Sequence, residues 1–153
     1  MKPIYTQLYE QKKYMEFKKV VQKMILLSSS FAIALAIILL IVNRFVLSLY
    51  GEGYIGYSST YIIMIITSVF MCIQSQFGNV FQAIGEIWKC LILNMFWAIL
   101  FIILFFILNQ YSTIGYASTY LISYMLYSLI SYLVFYHTTK QKFKSEECKN
   151  EIN

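Results

Sequence analysis

Four long apolar runs limit what this chain can become. Residues 24–42 hold 19 consecutive positions without a charge, and residues 61–81, 90–108 and 113–136 are uncharged throughout. Crossing about 30 Å of hydrocarbon at ~1.5 Å per helical residue takes about 20 residues, so each run is long enough to reach from face to face. Backbone amides find no water in lipid, so the runs must satisfy their hydrogen bonds internally, as helices do. The chain is 59% hydrophobic, with a mean hydropathy of +0.64 and a single proline. The sequence therefore predicts an all-α integral membrane protein. Its four transmembrane helices form two hairpins behind a short N-terminal amphipathic helix.

The distribution of charge orients this arrangement. A net charge of +5 in a soluble protein would suggest a nucleic-acid partner, but eleven of the twelve basic residues fall on one side of the predicted spans. Lys2, Lys12, Lys13, Lys18, Lys19 and Lys23 precede the first run, Lys89 separates the second from the third, and Lys140, Lys142, Lys144 and Lys149 follow the fourth. Arg44 alone lies opposite. This positive-inside pattern places both termini in the cytoplasm and argues against nucleic-acid binding. It divides the chain into a basic, amphipathic cytoplasmic segment (1–23), a four-span membrane domain (24–136) and a charged cytoplasmic tail (137–153), which lacks an apolar face and is expected to be unstructured. Ile4, Leu8 and Met15 fit one helical face in residues 4–21, adjoined by Tyr14, Phe17 and Val21. With lysines elsewhere, this segment reads either as a helix lying on anionic membrane lipids or as a solvated linker.

The second run organises the rest. Ser68, Cys72, Ser75, Asn79 and Gln82 follow helical spacing along one face, ending at the tight turn Ala83-Ile84-Gly85-Glu86. An amide without a partner is costly in hydrocarbon, so this stripe is expected to face other helices or a wet cavity. In the first run, Ser28, Ala32 and Ala36 form a row of small residues that admits a neighbouring helix. The third run carries only Asn94 and Trp97 as polar-capable groups and reads as a lipid-facing wall. In the fourth, Tyr116, Tyr120, Tyr124 and Tyr127 lie near helical spacing, followed by Ser131. Their hydroxyls serve either as interhelical bonds, the commoner use, or as the lining of a cavity. Ser75, Asn79, Gln82, Tyr120, Tyr124 and Tyr127 are accordingly the candidate cavity residues. Arg44 is either a phosphate contact or, as is more usual for a lone arginine near a span end, an interface anchor.

One segment occurs twice. Residues 55–63 read IGYSSTYII and residues 114–122 read IGYASTYLI, identical at seven of nine positions and both leading into a run of the same direction. The hairpins could be parallel repeats, although a composition this biased also produces such matches by chance.

Chemistry is harder to find. There is no aspartate, and all seven glutamates lie outside the apolar runs. The single histidine, His137, has no base, nucleophile or metal partner near it in sequence. Cys72, Cys90 and Cys148 lack metal-like or disulfide-like spacing. The chain reads as a non-enzyme without cofactor, catalytic residue or metal site.

The order of motifs resembles the C-terminal part of the bacterial polysaccharide (O-antigen type) flippases, in the superfamily that includes the MATE multidrug transporters. Leu49-Tyr50-Gly51-Glu52-Gly53-Tyr54 is similar to that family's outer LYGEGY turn, and Phe81-Gln82-Ala83-Ile84-Gly85 to the turn before its penultimate span. Residues 107–115, ILNQYSTIG, stand in the place of its LIPxYGxxG loop, with Asn109 replacing the proline and Ser112 the first glycine. Family members have about twelve or more spans in two lobes, so the resemblance implies a piece of a larger transporter. It would be completed by N-terminal spans on another chain, or by copies of itself in a homo-oligomer. The implied cargo is an undecaprenyl-diphosphate-linked oligosaccharide, moved by alternating access across the bacterial inner membrane. The alternatives are a self-sufficient four-span oligomeric carrier and a membrane assembly subunit without transport of its own.

Overall fold

A computed structural model describes residues 2–11 and 14–150, with side chains described for 5–11 and 16–140. Its regular structure is helical: α1 (Lys2–Glu10), α2 (Tyr14–Ile41), α3 (Asn43–Leu49), α4 (Ser58–Ala83), α5 (Ile87–Leu108) and α6 (Ser112–Asn150). Short 3-10 turns, Glu52–Tyr57 and Asn109–Tyr111, lead into α4 and α6. Among the described residues, three stretches are long and apolar enough to cross a membrane: Glu16–Ile41, Glu52–Ala83 and Ile87–Lys140. That is one fewer than the sequence predicts. The third and fourth apolar runs join through the helical turn at Asn109–Tyr111 into one stretch of 54 residues.

Helix α4 stands in the middle, flanked by α2 and α6 and touched by α1, α3 and α5. The Cys72 thiol reaches the Ser28 carbonyl at 3.7 Å, and Ser58 Oγ donates to Asn43 Oδ1 at 3.5 Å, so α2 and α3 run antiparallel to α4. The small-residue row is the contact: Ser28 meets Cys72 there, and Ala36 is buried. Small side chains let the two backbones approach closely.

Helix α6 runs parallel to α4, with Thr60 and Thr113 hydroxyls 3.4 Å apart at one end and the Phe77 and Phe135 rings 5.9 Å apart further along. Its buried positions Gly115, Thr119, Ser123, Tyr127, Ser131 and Phe135 recur every fourth residue, which makes a ridge of mostly small side chains against α4. Helix α5 covers the other flank of α6 in antiparallel register, pairing Trp97 with Tyr124 at 5.2 Å, Phe101 with Tyr120 at 4.7 Å and Phe105 with Tyr116 at 6.0 Å. Leu93 is the buried residue of α5, whose remaining apolar side chains are exposed or half-buried.

The turn after α4 has the form the sequence suggests. Gly85 adopts φ 78, Gly85 N–H bonds Gln82 O at 3.3 Å and Glu86 N–H bonds Phe81 O at 2.8 Å, which together satisfy the last carbonyls of the helix. A side chain at this left-handed position is strained. Gly85→Ala is expected to lower stability by about 1 kcal/mol, measured by thermal unfolding in detergent.

Two expectations at the ends of the chain need correction. The amphipathic helix predicted over residues 4–21 is not one unit, because α1 ends at Glu10 and Tyr14 already opens α2. Its apolar face meets protein: Tyr5, Phe17 and Val21 pack with Val80, Phe81 and Ile84 in one buried cluster. Burial pushes the Tyr5 phenol above its ordinary value, which keeps it neutral. Ile4, Tyr14 and Met15, expected on the same face, lie outside the described side chains. At the other end, α6 continues helically to Asn150, through the tail expected to be unstructured. Thr138 and Thr139 are buried there, and Lys89 Nζ donates to Thr138 Oγ1 at 3.1 Å while pairing with Glu86 at 3.5 Å.

Candidate functional site

A hydroxyl in an apolar helix has a local remedy, because serine and threonine can bond the carbonyl three or four residues back. Thr67, Ser68, Ser75 and Ser128 do so, to Ile63, Ile65, Cys72 and Met125 respectively. Asparagine and glutamine carry both donors and acceptors, so a local bond such as Asn43 Nδ2 to Leu40 O at 2.8 Å still leaves further groups to partner. Three helices bring such groups together. From α6, the Tyr127 hydroxyl donates to Asn94 Oδ1 on α5, and Asn94 Nδ2 in turn reaches Cys90 Sγ at 3.7 Å. From α4, the Gln74 amide comes in beside Tyr127. Gln74 is 8% exposed, and its Oε1 has no partner among the described residues.

These groups line a cleft of about 310 Å³ between α4, α5 and α6, with Met71, Ser75, Gly78, Gln82 and Tyr124 completing its walls. Gly78 leaves the α4 wall open, since nothing stands within 4 Å of where its side chain would begin. The cleft offers neutral amide and hydroxyl groups on a partly apolar surface. That chemistry suits a ligand rich in hydroxyls and places no formal charge in the membrane interior.

No family model, curated protein or solved structure matches this chain. Of the six predicted cavity residues, Ser75, Gln82, Tyr124 and Tyr127 line the cleft. Asn79 is half-buried outside that lining, and Tyr120 packs its ring on Phe101 and accepts a bond from Tyr116 at 3.3 Å. The tyrosine row thus divides its work. Its outer members join α6 to α5, and its inner members reach the cleft. Arg44 is exposed on α3; its neighbour Asn43 bonds Ser58, roughly four turns of α4 away from Gln74.

Met71, Gln74, Gly78, Cys90 and Asn94 line the cleft without having been candidates, and the two amides among them carry its polar chemistry. Gln74 stands beside the chosen stripe, and its signal was the seven-residue spacing Thr67, Gln74, Phe81, all three buried along one seam of α4. Asn94 was noticed but assigned to a wall facing lipid. A lone amide in an otherwise aliphatic helix is itself the sign of an interhelical partner.

Proposed function

We propose that the chain is a module of a membrane flippase that exports undecaprenyl-diphosphate-linked oligosaccharide, with the α4–α5–α6 cleft forming part of the sugar's path. In this reading α5 and α6 are two crossings, giving four spans in two hairpins. A continuous rod of 54 residues would measure about 80 Å, far more than a bilayer needs, whereas the ring pairs between α5 and α6 run antiparallel. The basic residues then gather on the cytoplasmic side with both termini, in a bacterial inner membrane.

The observation that carries the reading is the orphaned Gln74 amide oxygen in an uncharged polar cleft. A buried acceptor without a donor costs free energy, and a passing hydroxyl-bearing ligand would supply that donor. The lack of a carboxylate in the apolar runs fits a path for a neutral glycan better than a proton relay.

The test is transfer of a fluorescent undecaprenyl-diphosphate disaccharide across proteoliposomes containing the chain, together with any spans that complete it. Gln82→Leu and Gln74→Leu are expected to slow transfer at least about tenfold, corresponding to loss of one or two polar contacts. Unchanged transfer in folded variants would remove the cleft from the path.

A second groove supports the alternative of an assembly subunit or self-sufficient oligomer. Met24, Leu27, Ser28, Phe31 and Gln76 line a space of about 410 Å³ between α2 and α4, where a polar amide sits beside an apolar trough of the kind a further membrane helix fills. No transfer under any condition would favour the non-transporting assembly subunit.

A further inference from the structure

At the end of the bundle away from the Tyr5 cluster lies an open cavity of about 570 Å³, lined by Gly53, Tyr54, Tyr57, Thr60 and Thr113. Local backbone form explains its surface. Glu52–Tyr57 is a 3-10 helix, in which residues three apart eclipse one another, so Tyr54 and Tyr57 fall on one face. Their rings lie 6.4 Å apart, and Tyr50 extends the strip at 6.2 Å from Tyr54. The two central rings remain 53% and 49% exposed. Gly53 leaves open space beside them, with nothing within 4 Å of a would-be side chain. On the opposite wall Thr60 donates to Thr113 at 3.4 Å, and Thr113 keeps its own proton to offer.

We infer that this cavity is a saccharide-binding platform, taking a neutral pyranose whose apolar ring face lies on Tyr54 and Tyr57 while its hydroxyls meet Thr60 and Thr113. No lining residue is charged, so a phosphate has nothing to pair with there, whereas flat aromatic faces joined to a few hydroxyls suit a ring that is apolar on one side and polar at its rim. The volume falls within the range of small-ligand sites and accommodates one or two sugar units. Tyrosines that merely anchor a protein among lipid headgroups need no pair of hydroxyls beside them. The inference rests on the flippase reading for the side of the membrane on which the platform opens, and there it would hold the glycan as it leaves the cleft.

The test uses the full chain in nanodiscs, with N,N′-diacetylchitobiose as probe and inorganic pyrophosphate as the charged comparison, read by saturation-transfer-difference NMR. Ring protons of the sugar should receive saturation from the aromatic envelope, and pyrophosphate should not displace it. The double variant Tyr54→Leu with Tyr57→Leu should weaken apparent affinity about tenfold, whereas the pair Tyr54→Phe and Tyr57→Phe should stay within about threefold of the parent. Both side chains are half exposed, so neither exchange disturbs helix packing. The platform is overturned if chitobiose receives no saturation, if the leucine variant binds as well as the parent, or if pyrophosphate competes. Transfer assays on the same variants separate the two readings. Platform binding lost in the leucine variant, with no lipid-linked sugar moved even by the parent, would uphold the platform and sink the flippase. Transport sensitive to Gln82→Leu with binding indifferent to Tyr54 and Tyr57 would do the reverse.

Discussion

Gly115→Ala is expected to destabilise the protein by about 3 kcal/mol, while Gly56→Ala, the same position of the repeated segment, should stay within about 0.5 kcal/mol of the parent. The two glycines sit in identical Ile-Gly-Tyr triplets, so sequence alone gives no reason to expect different outcomes. Their surroundings differ. At Gly56 nothing lies within 4 Å of an added side-chain carbon. At Gly115 that carbon would collide with the carbonyl oxygen of Leu108 and stand 3.1 Å from the Tyr111 Cβ. The obstacle is backbone on the far side of the Asn109–Tyr111 turn, so no rotamer relieves it, and α6 would have to swing away from α5. That movement would separate Phe105 from Tyr116 and Phe101 from Tyr120. Thermal unfolding in detergent of both variants against the parent reads the difference. Equal effects at the two glycines would refute the tight junction.

The second large effect lies between α4 and α6. Ser123→Leu and Ser131→Leu are each expected to cost about 3 kcal/mol, because both positions are fully buried on a ridge whose small side chains set the spacing of the helices. Alanine at the same positions should be neutral or slightly stabilising. Neither hydroxyl has a partner among the described residues, so its removal relieves an unsatisfied polar atom while leaving almost the same volume. Unfolding in a graded denaturing detergent mixture measures the difference. If alanine proved as damaging as leucine, the hydroxyls would be bonding groups and the packing account would fail.

The sequence made the helical class, the central place of α4 and the turn at Gly85 legible, since each follows from a local pattern: an uncharged run, a row of polar positions, a glycine after an amide. It placed Ser75, Gln82, Tyr124 and Tyr127 at the cleft but missed Gln74 beside the chosen stripe and the α5 wall that Asn94 supplies. The stripe Ser68, Cys72, Ser75, Asn79, Gln82 was chosen by treating all polar groups in lipid as equally needy. Ser68 and Ser75 close on their own helix and remain exposed, so they exert no pull toward the interior. Gln74 cannot do so, and its burial decides which face turns inward. Weighting amides above hydroxyls would have found it. The seating of α1 on α4 depends on contacts between residues far apart in the chain. No single window of sequence contains those contacts.

The repeat shows how little identity settles about conformation. Ile55-Gly56-Tyr57 lies in a 3-10 turn, whereas Ile114-Gly115-Tyr116 is already inside α6. The same letters thus serve as an entry loop in one copy and as a packed first turn in the other. The neighbouring backbone at Leu108, absent from the first copy, makes the difference.

The seat of α1 bears on how the molecule is made. Tyr5 is buried by Val80, Phe81 and Ile84, which the ribosome reaches long after the first ten residues have emerged. The amino-terminal helix must therefore wait, apolar side outward, until α4 has been made and presents its C-terminal end. Closure of that seam marks the completion of the first half of the bundle, and a bulky fusion placed before Tyr5 would obstruct this late step of biogenesis while leaving membrane insertion of the earlier helix untouched.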